Sequence, residues 1–451
     1  MQKTNSSLNF KGIFIFWLPL AATWLMMSTE GPFVAAIIAR LPEPKFNLAA
    51  HGVAYSFALL MEAPIIMIMS ASTALVKDRD SLIKLRKFTY TMNGAITLIM
   101  AVFLTPPPFN FVTQTIIGLP ENVAQLTHYA CILLLPWPSA IGYRRYYQGI
   151  LIRSNLTRRV AYGTVVRLTA MVSISLFFYF VFPIHGAIVG AAALSTGVIA
   201  EATASRMMAR SSVRRLLHKS PQQSGRALLS YRFITNFYFP LALTSILALG
   251  IRPLVTFFLG NSRMAIESLA ALPVVYSLVF IFRSMGLSFQ EVGIALLGEQ
   301  NQNYRPLKNF SIFLGFFVTF GLFLFTFTPL SHVWFHQISG LSLELTEFAI
   351  FPAQLMVLLP GLTVLLSFQR SLLVTNKKTK PITLATFIEV AGVTSLLLLT
   401  LKGFNMIGLI AAAIALVLGR LISNTYLFRP FFKTLKRNSP SSPGSSEGSP
   451  T

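Results

Sequence analysis

The chain is a succession of long apolar runs separated by short polar segments. A helix needs about 20 apolar residues to cross a bilayer. Twelve such runs can be read: 12–39, 50–75, 88–105, 127–152, 158–182, 186–209, 230–260, 267–297, 308–328, 345–374, 381–401 and 405–428. At bilayer depth a single segment satisfies its backbone hydrogen bonds only as a helix. The pattern therefore predicts an all-α polytopic membrane protein with twelve transmembrane helices. The first run is too long for a cleavable signal peptide and has no small-residue cleavage site. The stretch 106–126 opens with Pro106-Pro107-Pro108 and reads as an outer loop or interfacial segment.

The runs repeat. Phe16-Trp17-Leu18-Pro19-Leu20-Ala21 returns 221 residues later as Phe237-Tyr238-Phe239-Pro240-Leu241-Ala242. At the same offset Thr23 returns as Thr244, Pro32 as Pro253, Leu48-Ala49-Ala50 as Leu269-Ala270-Ala271 and Tyr55-Ser56 as Tyr276-Ser277. Gln148, Leu151 and Asn155 return as Gln369, Leu372 and Asn376. A constant offset over such distant anchors marks a duplication, and duplicated membrane domains commonly hold a substrate between their halves. The expected organisation is an N-terminal six-helix lobe at 1–209, a basic cytoplasmic linker at 210–229, a C-terminal six-helix lobe at 230–428 and a cytoplasmic tail at 429–451. The tail is rich in Ser, Pro and Gly from 438 onward and is expected to be disordered.

Composition agrees with the pattern, with 54% hydrophobic and 11% charged residues. A soluble domain carries about 25% charged residues. The net charge of +23 suggests a nucleic-acid binder until the basic residues are placed. Alternate loops carry Lys77, Arg79, Lys84, Arg86 and Lys87, then Arg153, Arg158 and Arg159, then the long basic stretch 206–232, then Arg305 and Lys308, then Lys377, Lys378 and Lys380. Both ends of the chain are basic too, whereas the opposite loops hold only Arg40, Lys45, Arg263 and Lys402. By the positive-inside rule both termini are expected in the cytoplasm, and the surplus is a topology signal rather than a nucleic-acid footprint. The one cysteine, Cys131, allows neither an internal disulfide nor a cysteine-based metal site. The sequence has no Walker A motif, HExxH motif or catalytic constellation, so an ATP-driven pump and an enzyme are not expected, nor is a cofactor or metal.

The candidate chemistry is the set of ionisable residues inside the runs, which are costly there and persist when paired or facing a polar cavity. The acids are Glu30, Glu62, Glu201, Glu291 and Glu389; the bases are Arg144, Arg145, Arg167, Arg252, Arg283, Arg370 and Arg420. Glu62 and Arg283 are equivalent in the repeat, and Arg252 is equivalent to Gly31 beside Glu30. Equivalent positions of opposite charge would face one another across a pseudo-twofold axis, either as two walls of a central site or as an inter-lobe ion pair; alternatively each is satisfied within its own lobe. Gly31-Pro32 and Arg252-Pro253 would interrupt spans one and seven, either freeing carbonyls to line a cavity or kinking the helices for packing. Pro136-Trp137-Pro138 leads into Tyr143-Arg144-Arg145-Tyr146-Tyr147-Gln148, the densest polar-aromatic cluster in any span. Arginine forks suit carboxylate and phosphate oxygens, although these side chains could instead snorkel to the cytoplasm. The expected substrate-binding residues are Arg252, Arg283, Arg144, Arg145, Tyr147 and Gln148; the expected ion-coupling residues are Glu30 and Glu62.

With spans and repeats placed, the chain resembles the multidrug/oligosaccharidyl-lipid/polysaccharide exporter superfamily, which includes the multidrug and toxic compound extrusion (MATE) transporters. Phe239-Pro240-Leu241-Ala242-Leu243, Arg252-Pro253-Leu254-Val255, Glu267 and Ala270 are similar to the progressive ankylosis protein family, as are Pro19-Leu20 and Ala54-Tyr55-Ser56. The resemblance implies two pseudo-symmetric six-helix bundles working by alternating access. It also implies export of organic or phosphorylated anions such as citrate, pyrophosphate or nucleotide. MATE antiporters often couple through an acid in span one, and Glu30 is the acid there, although ankylosis proteins carry theirs at flanking positions. The leading expectation is a secondary transporter for a small anion, coupled to a proton or sodium ion. It would be a monomer in contact with lipid, in a bacterial inner (plasma) membrane. The alternatives are a cation-coupled multidrug antiporter and a lipid-linked oligosaccharide flippase; nothing demands a non-transporting scaffold.

Overall fold

The computed structural model describes residues 8–38, 40–117, 119–181, 184–218, 229–260 and 262–437. The first lobe begins with two broken spans: α1 (Phe10–Ser28) with α2 (Glu30–Ile38), and α3 (Pro44–Glu62) with α4 (Ile68–Leu75). Span three is α5 (Arg79–Phe103). The short α6 (Pro106–Asn110) and a π-helical turn at Phe111–Ile116 continue it after a bend of 74°. Span four is α7 (Glu121–Leu133) with α8 (Trp137–Arg153), and α9 (Thr157–Val181) and α10 (Gly186–Leu217) complete the lobe. The second lobe follows the same plan. It contains α11 (Tyr231–Gly260), α12 (Ala265–Leu296), α13 (Tyr304–Phe327), α14 (Leu330–His332) with a π-helical turn at Val333–Ile338, α15 (Leu343–Leu355) with α16 (Leu359–Thr375), α17 (Lys380–Leu398) and α18 (Gly408–Arg437).

Nine of these helices or helix pairs are long and apolar enough to cross a membrane, and a tenth is added if the bent α5–α6 pair counts as one. The two expected spans outside that count are the second and fourth. Both are broken near their middle, at Ala63–Met67 and at Leu134–Pro136, and both carry buried ionisable or polar side chains. Two expected boundaries move. Helix α10 continues through 210–217, because Ser212 is still buried. Helix α18 continues through 429–437, because Phe431 still packs into the core. The rest of the linker, 219–228, and the tail from 438 lie outside the described residues.

The apolar core shows how the lobes meet. One cluster spans both lobes at the end carrying the described termini. It joins Trp17, Leu20, Ile68 and Tyr146 to Tyr238, Phe289, Phe310 and Phe431. Towards the opposite end the core divides. One cluster there is built wholly from the first lobe, including Val34, Ala54, Trp137 and Leu194. The other is built wholly from the second, including Val255, Val275, Val393 and Leu409. The apolar core is thus shared between the lobes at the terminal end and divided at the other. The seal includes Trp17 Nε1 donating to Met285 O at 3.2 Å and Tyr238 Oη donating to Pro64 O at 2.7 Å.

The duplication is visible at the seam. Ser70 and Glu291 are equivalent residues, 221 positions apart, and Ser70 Oγ donates to Glu291 Oε1 between the lobes. In span four the register slips by one. Helices α8 and α16 begin at Trp137 and Leu359 and end at Arg153 and Thr375, an offset of 222. The left-handed residues after them, Asn155 and Lys377, keep that offset. Gln148 is therefore equivalent to Arg370, not to Gln369. Spans one and seven also differ. The first breaks at Thr29, whose hydroxyl and that of Ser28 capture the carbonyls of Met26 and Leu25. The equivalent Leu249 and Gly250 have no hydroxyl, and α11 runs unbroken through Pro240 and Pro253. Pro253 thus bends no helix apart, contrary to the expected interruption.

Candidate functional site: a charged pocket between the lobes

Next to the shared core lies a pocket made mostly by the first lobe. It is lined by Leu20, Thr23, Trp24 and Met27 of α1, Met69 of α4, Arg144, Arg145 and Gln148 of α8, Val160 of α9 and Glu201 of α10. The second lobe contributes Ser288 and Glu291 of α12. Leu20, Met69 and Val160 also belong to the shared core, so the pocket sits directly above the seal.

The polar side chains around it form a buried network. Glu201 is wholly buried and receives Arg144 Nη1, Gln148 Nε2 at 2.9 Å and Thr164 Oγ1 at 3.3 Å. Arg167 of α9 donates to Glu30 Oε2 at 2.5 Å, and its other terminal nitrogen lies 3.7 Å from Glu201. The same guanidinium stands 5.3 Å from the ring centre of Trp137, a cation–π distance. Trp137 Nε1 in turn donates to Glu62 Oε2 at 2.9 Å. Helix breaks position several of these groups. Glu30 opens α2, Glu62 closes α3, and Trp137 opens α8 after Pro136.

The predicted residues are distributed unevenly. Arg144, Arg145 and Gln148 do meet in the pocket, and Glu30 and Glu62 join the network behind it. Tyr147 does not line the pocket. Its hydroxyl is 3.1 Å from that of Tyr90, and its ring packs on Tyr143 and Tyr146, because its side of α8 faces α5. Glu62 and Arg283 do not pair across the lobes; Arg283 Nε donates to Thr363 Oγ1 at 3.3 Å, so each is satisfied in its own lobe. Arg252 is exposed on α11 and is electrostatically coupled to Tyr55 of the first lobe and to Tyr276 and Arg283 of the second. It does not line the pocket. The functional candidates missed were Arg167, Glu201, Trp137, Ser70 and Glu291. The signal for three of them was present, since Arg167, Glu201 and Glu291 are ionisable residues within apolar runs.

Charge divides unequally between the lobes. Glu30, Glu62 and Glu201 match Arg144, Arg145 and Arg167 in number. The second lobe sets Glu291 and Glu389 against Arg252, Arg283, Arg370 and Arg420. Glu389 Oε1 accepts from Arg420 at 2.7 Å, whereas Arg370 donates to the neutral Thr386 at 2.8 Å. Among the described residues no carboxylate lies within ion-pair distance of Arg145, Arg252, Arg283 or Arg370.

Known folds account for this architecture. No family model matches the chain, and no curated protein matches it by sequence. Solved structures do. An outward-facing multidrug-resistance MATE family transporter of the MOP superfamily aligns over 98% of this chain and 100% of its own, with a TM-score of 0.77 and 14% identity. The fold is that of the MATE transporters. A point mutant of the Vibrio cholerae MATE transporter VcmN aligns over 95% of this chain and 97% of its own, with a TM-score of 0.70 and 16% identity. A MOP superfamily transporter from Pyrococcus furiosus aligns over 97% and 99%, with a TM-score of 0.75 and 12% identity. That transporter is described as having a binding pocket of reverse polarity that suggests a different function.

Proposed function

We propose that this protein is a secondary transporter that moves a small organic or phosphorylated anion by alternating access between its lobes. The MATE-like fold supports the transport cycle, and the separation of the core towards one end supports an opening on that side. With both termini cytoplasmic, this is the outward-open stage. The observation that carries the anion reading is the arginine surplus of the second lobe, where, among the described residues, Arg252 and Arg283 have no carboxylate within ion-pair distance. Guanidinium groups keep their charge in proteins, so an unpaired one on a cleft wall selects for anions. Glu30 and Glu62 are the coupling carboxyls in this reading, since they end helices at breaks beside the pocket.

Reconstituted liposomes loaded with citrate, pyrophosphate, ATP or an organic cation provide the test. An anion is expected to move and the cation is not. Arg283→Gln or Arg252→Gln should weaken anion binding about tenfold or more, roughly 1.4 kcal/mol. Cation transport that survives both substitutions and fails in Glu30→Gln and Glu62→Gln would establish a cation-coupled antiporter instead.

A further inference from the structure

The five buried acids of the spans are not held alike. Glu30 is paired with Arg167, Glu201 with Arg144 and Glu389 with Arg420. Glu62 is held by Trp137 inside the first lobe. Glu291 differs in two ways. The donor to Oε1 comes from the other lobe, through Ser70 Oγ, which itself receives Gln290 Nε2 at 3.2 Å, and the Thr73 hydroxyl of the same helix is a further neighbour. Its second oxygen, Oε2, is buried and has no hydrogen-bond partner. The carboxyl lines the same pocket as Arg145, whose own Nε lacks a partner and whose Nη1 donates to Met69 Sδ at 3.6 Å.

We propose that Glu291 is a proton site linked to anion binding at Arg145, so that the substrate anion and the Glu291 carboxylate compete for the same guanidinium. This rests on the anion reading above and adds a coupling carboxyl to it. The surroundings of Glu291 are otherwise poor in charge. Helix α4 has no titratable side chain and offers Ser70. Helix α1 offers Thr23 and Trp24. On α16 the one titratable group, Arg370, is turned to Thr386 of α17, and on α11 Tyr238 gives its hydroxyl to Pro64. On α13 Tyr304 stacks on Phe368 and packs at a tilt against Phe431, while Arg305 and Lys308 stand in the helix's first turns. Helix α8 brings Arg145, with Arg144 behind it already paired to Glu201 of α10 in the same pocket.

The direction of the coupling follows from charge. With Glu291 ionised, its negative charge shares the pocket with Arg145 without contacting it and, together with the more fixed charges of Glu62 and Glu201, opposes the entry of an anion. When Glu291 takes up one proton, its charge disappears and Arg145 is left to the substrate. An anion beside the carboxyl therefore favours its protonated form, and reciprocally a proton on the carboxyl favours the anion. Anion affinity should rise as pH falls, with one proton taken up per anion bound. The same proton weakens the charge-assisted bond from Ser70, so loading the site loosens a contact that seals the lobes.

Binding of citrate, pyrophosphate and ATP to the purified full-length protein, measured from pH 5.5 to 8.5, tests this. The anions' own ionisation contributes equally to wild type and to Glu291→Gln, so the difference between the two isolates the site. Wild type should lose up to about tenfold more affinity per pH unit than the variant as pH rises. Proton uptake on anion binding in weak buffer should be larger by about one in wild type. Ser70→Ala, which keeps the carboxyl, should retain the wild-type slope. Equal slopes in wild type and Glu291→Gln would overturn the proposal and leave the anion reading intact. If Glu291→Gln does not fold, wild type decides alone, because no proton uptake beyond the ligand's own would overturn it. Failure of all three anions to bind wild type would remove the anion reading and this proposal together.

Discussion

Arg144 and Glu201 are almost wholly buried, and each has lost its hydration. Their attraction repays that loss only while both are present, so removing one partner is worse than removing both. Arg144→Met should destabilise the protein by about 3 kcal/mol, because Glu201 keeps its charge with only Gln148, Thr164 and the more distant Arg167 near it. Pairing that change with Glu201→Leu should recover most of the loss. Thermal unfolding in detergent, compared across the two single variants and the double variant, reads this directly. At this scale the sequence was informative about which charges lie inside the membrane and silent about partners. Nothing in the spacing of Arg167, Glu30 and Glu201 says that one guanidinium serves both acids, since residues 137 positions apart meet only through helix packing.

At the scale of elements, spans two and four of each lobe pack so closely that one side chain must vanish. In the first lobe a Cβ on Gly149 would lie 2.5 Å from Ser72 Cβ. In the second a Cβ on Gly293 would lie 2.5 Å from Ser371 Cβ. Ser72 and Gly293 occupy equivalent places on spans two and eight, and Gly149 and Ser371 do so on spans four and ten. The two lobes have therefore exchanged the small residue and the hydroxyl across one contact. Gly149→Ser alone should cost about 1–3 kcal/mol through overpacking. Adding Ser72→Gly, which copies the second lobe's arrangement, should recover only part of that loss, because Met69 O would still lie 2.6 Å from the new Cβ. An unfolding temperature no higher in the double variant than in Gly149→Ser alone would count against the equivalence. The match of Gln148 to Gln369 pointed to a register one residue away from this one. In apolar helices several registers give similar matches, and only the contact itself distinguishes them.

For the whole molecule, the proposed transport cycle requires the seal at the terminal end to open. Phe10 and Phe313 approach with ring centres 5.1 Å apart, one from each lobe. A cysteine pair there, Phe10→Cys with Phe313→Cys in a Cys131→Ser background, should be joined by a short bis-methanethiosulfonate cross-linker, which should hold the lobes together and stop transport. Reduction should restore it. Cross-linking that leaves transport at the wild-type rate would mean that the seal does not open during turnover.

Taken alone, the amino-acid sequence determined the helical class, the twelve runs, the duplication and the inventory of buried charge. These follow from transfer of apolar segments out of water and from local hydrogen bonding, which depend on residues close together in the chain. Tertiary structure decided the rest. It paired Arg144 with Glu201 and Arg167 with Glu30, turned Tyr147 towards Tyr90, and kept Glu62 and Arg283 in separate lobes. It also closed the lobes at one end and brought Ser70 to Glu291. Each of these outcomes depends on how a helix is rotated and on which neighbour it meets. That is fixed by packing between distant segments, and a pattern along a single chain carries little record of it.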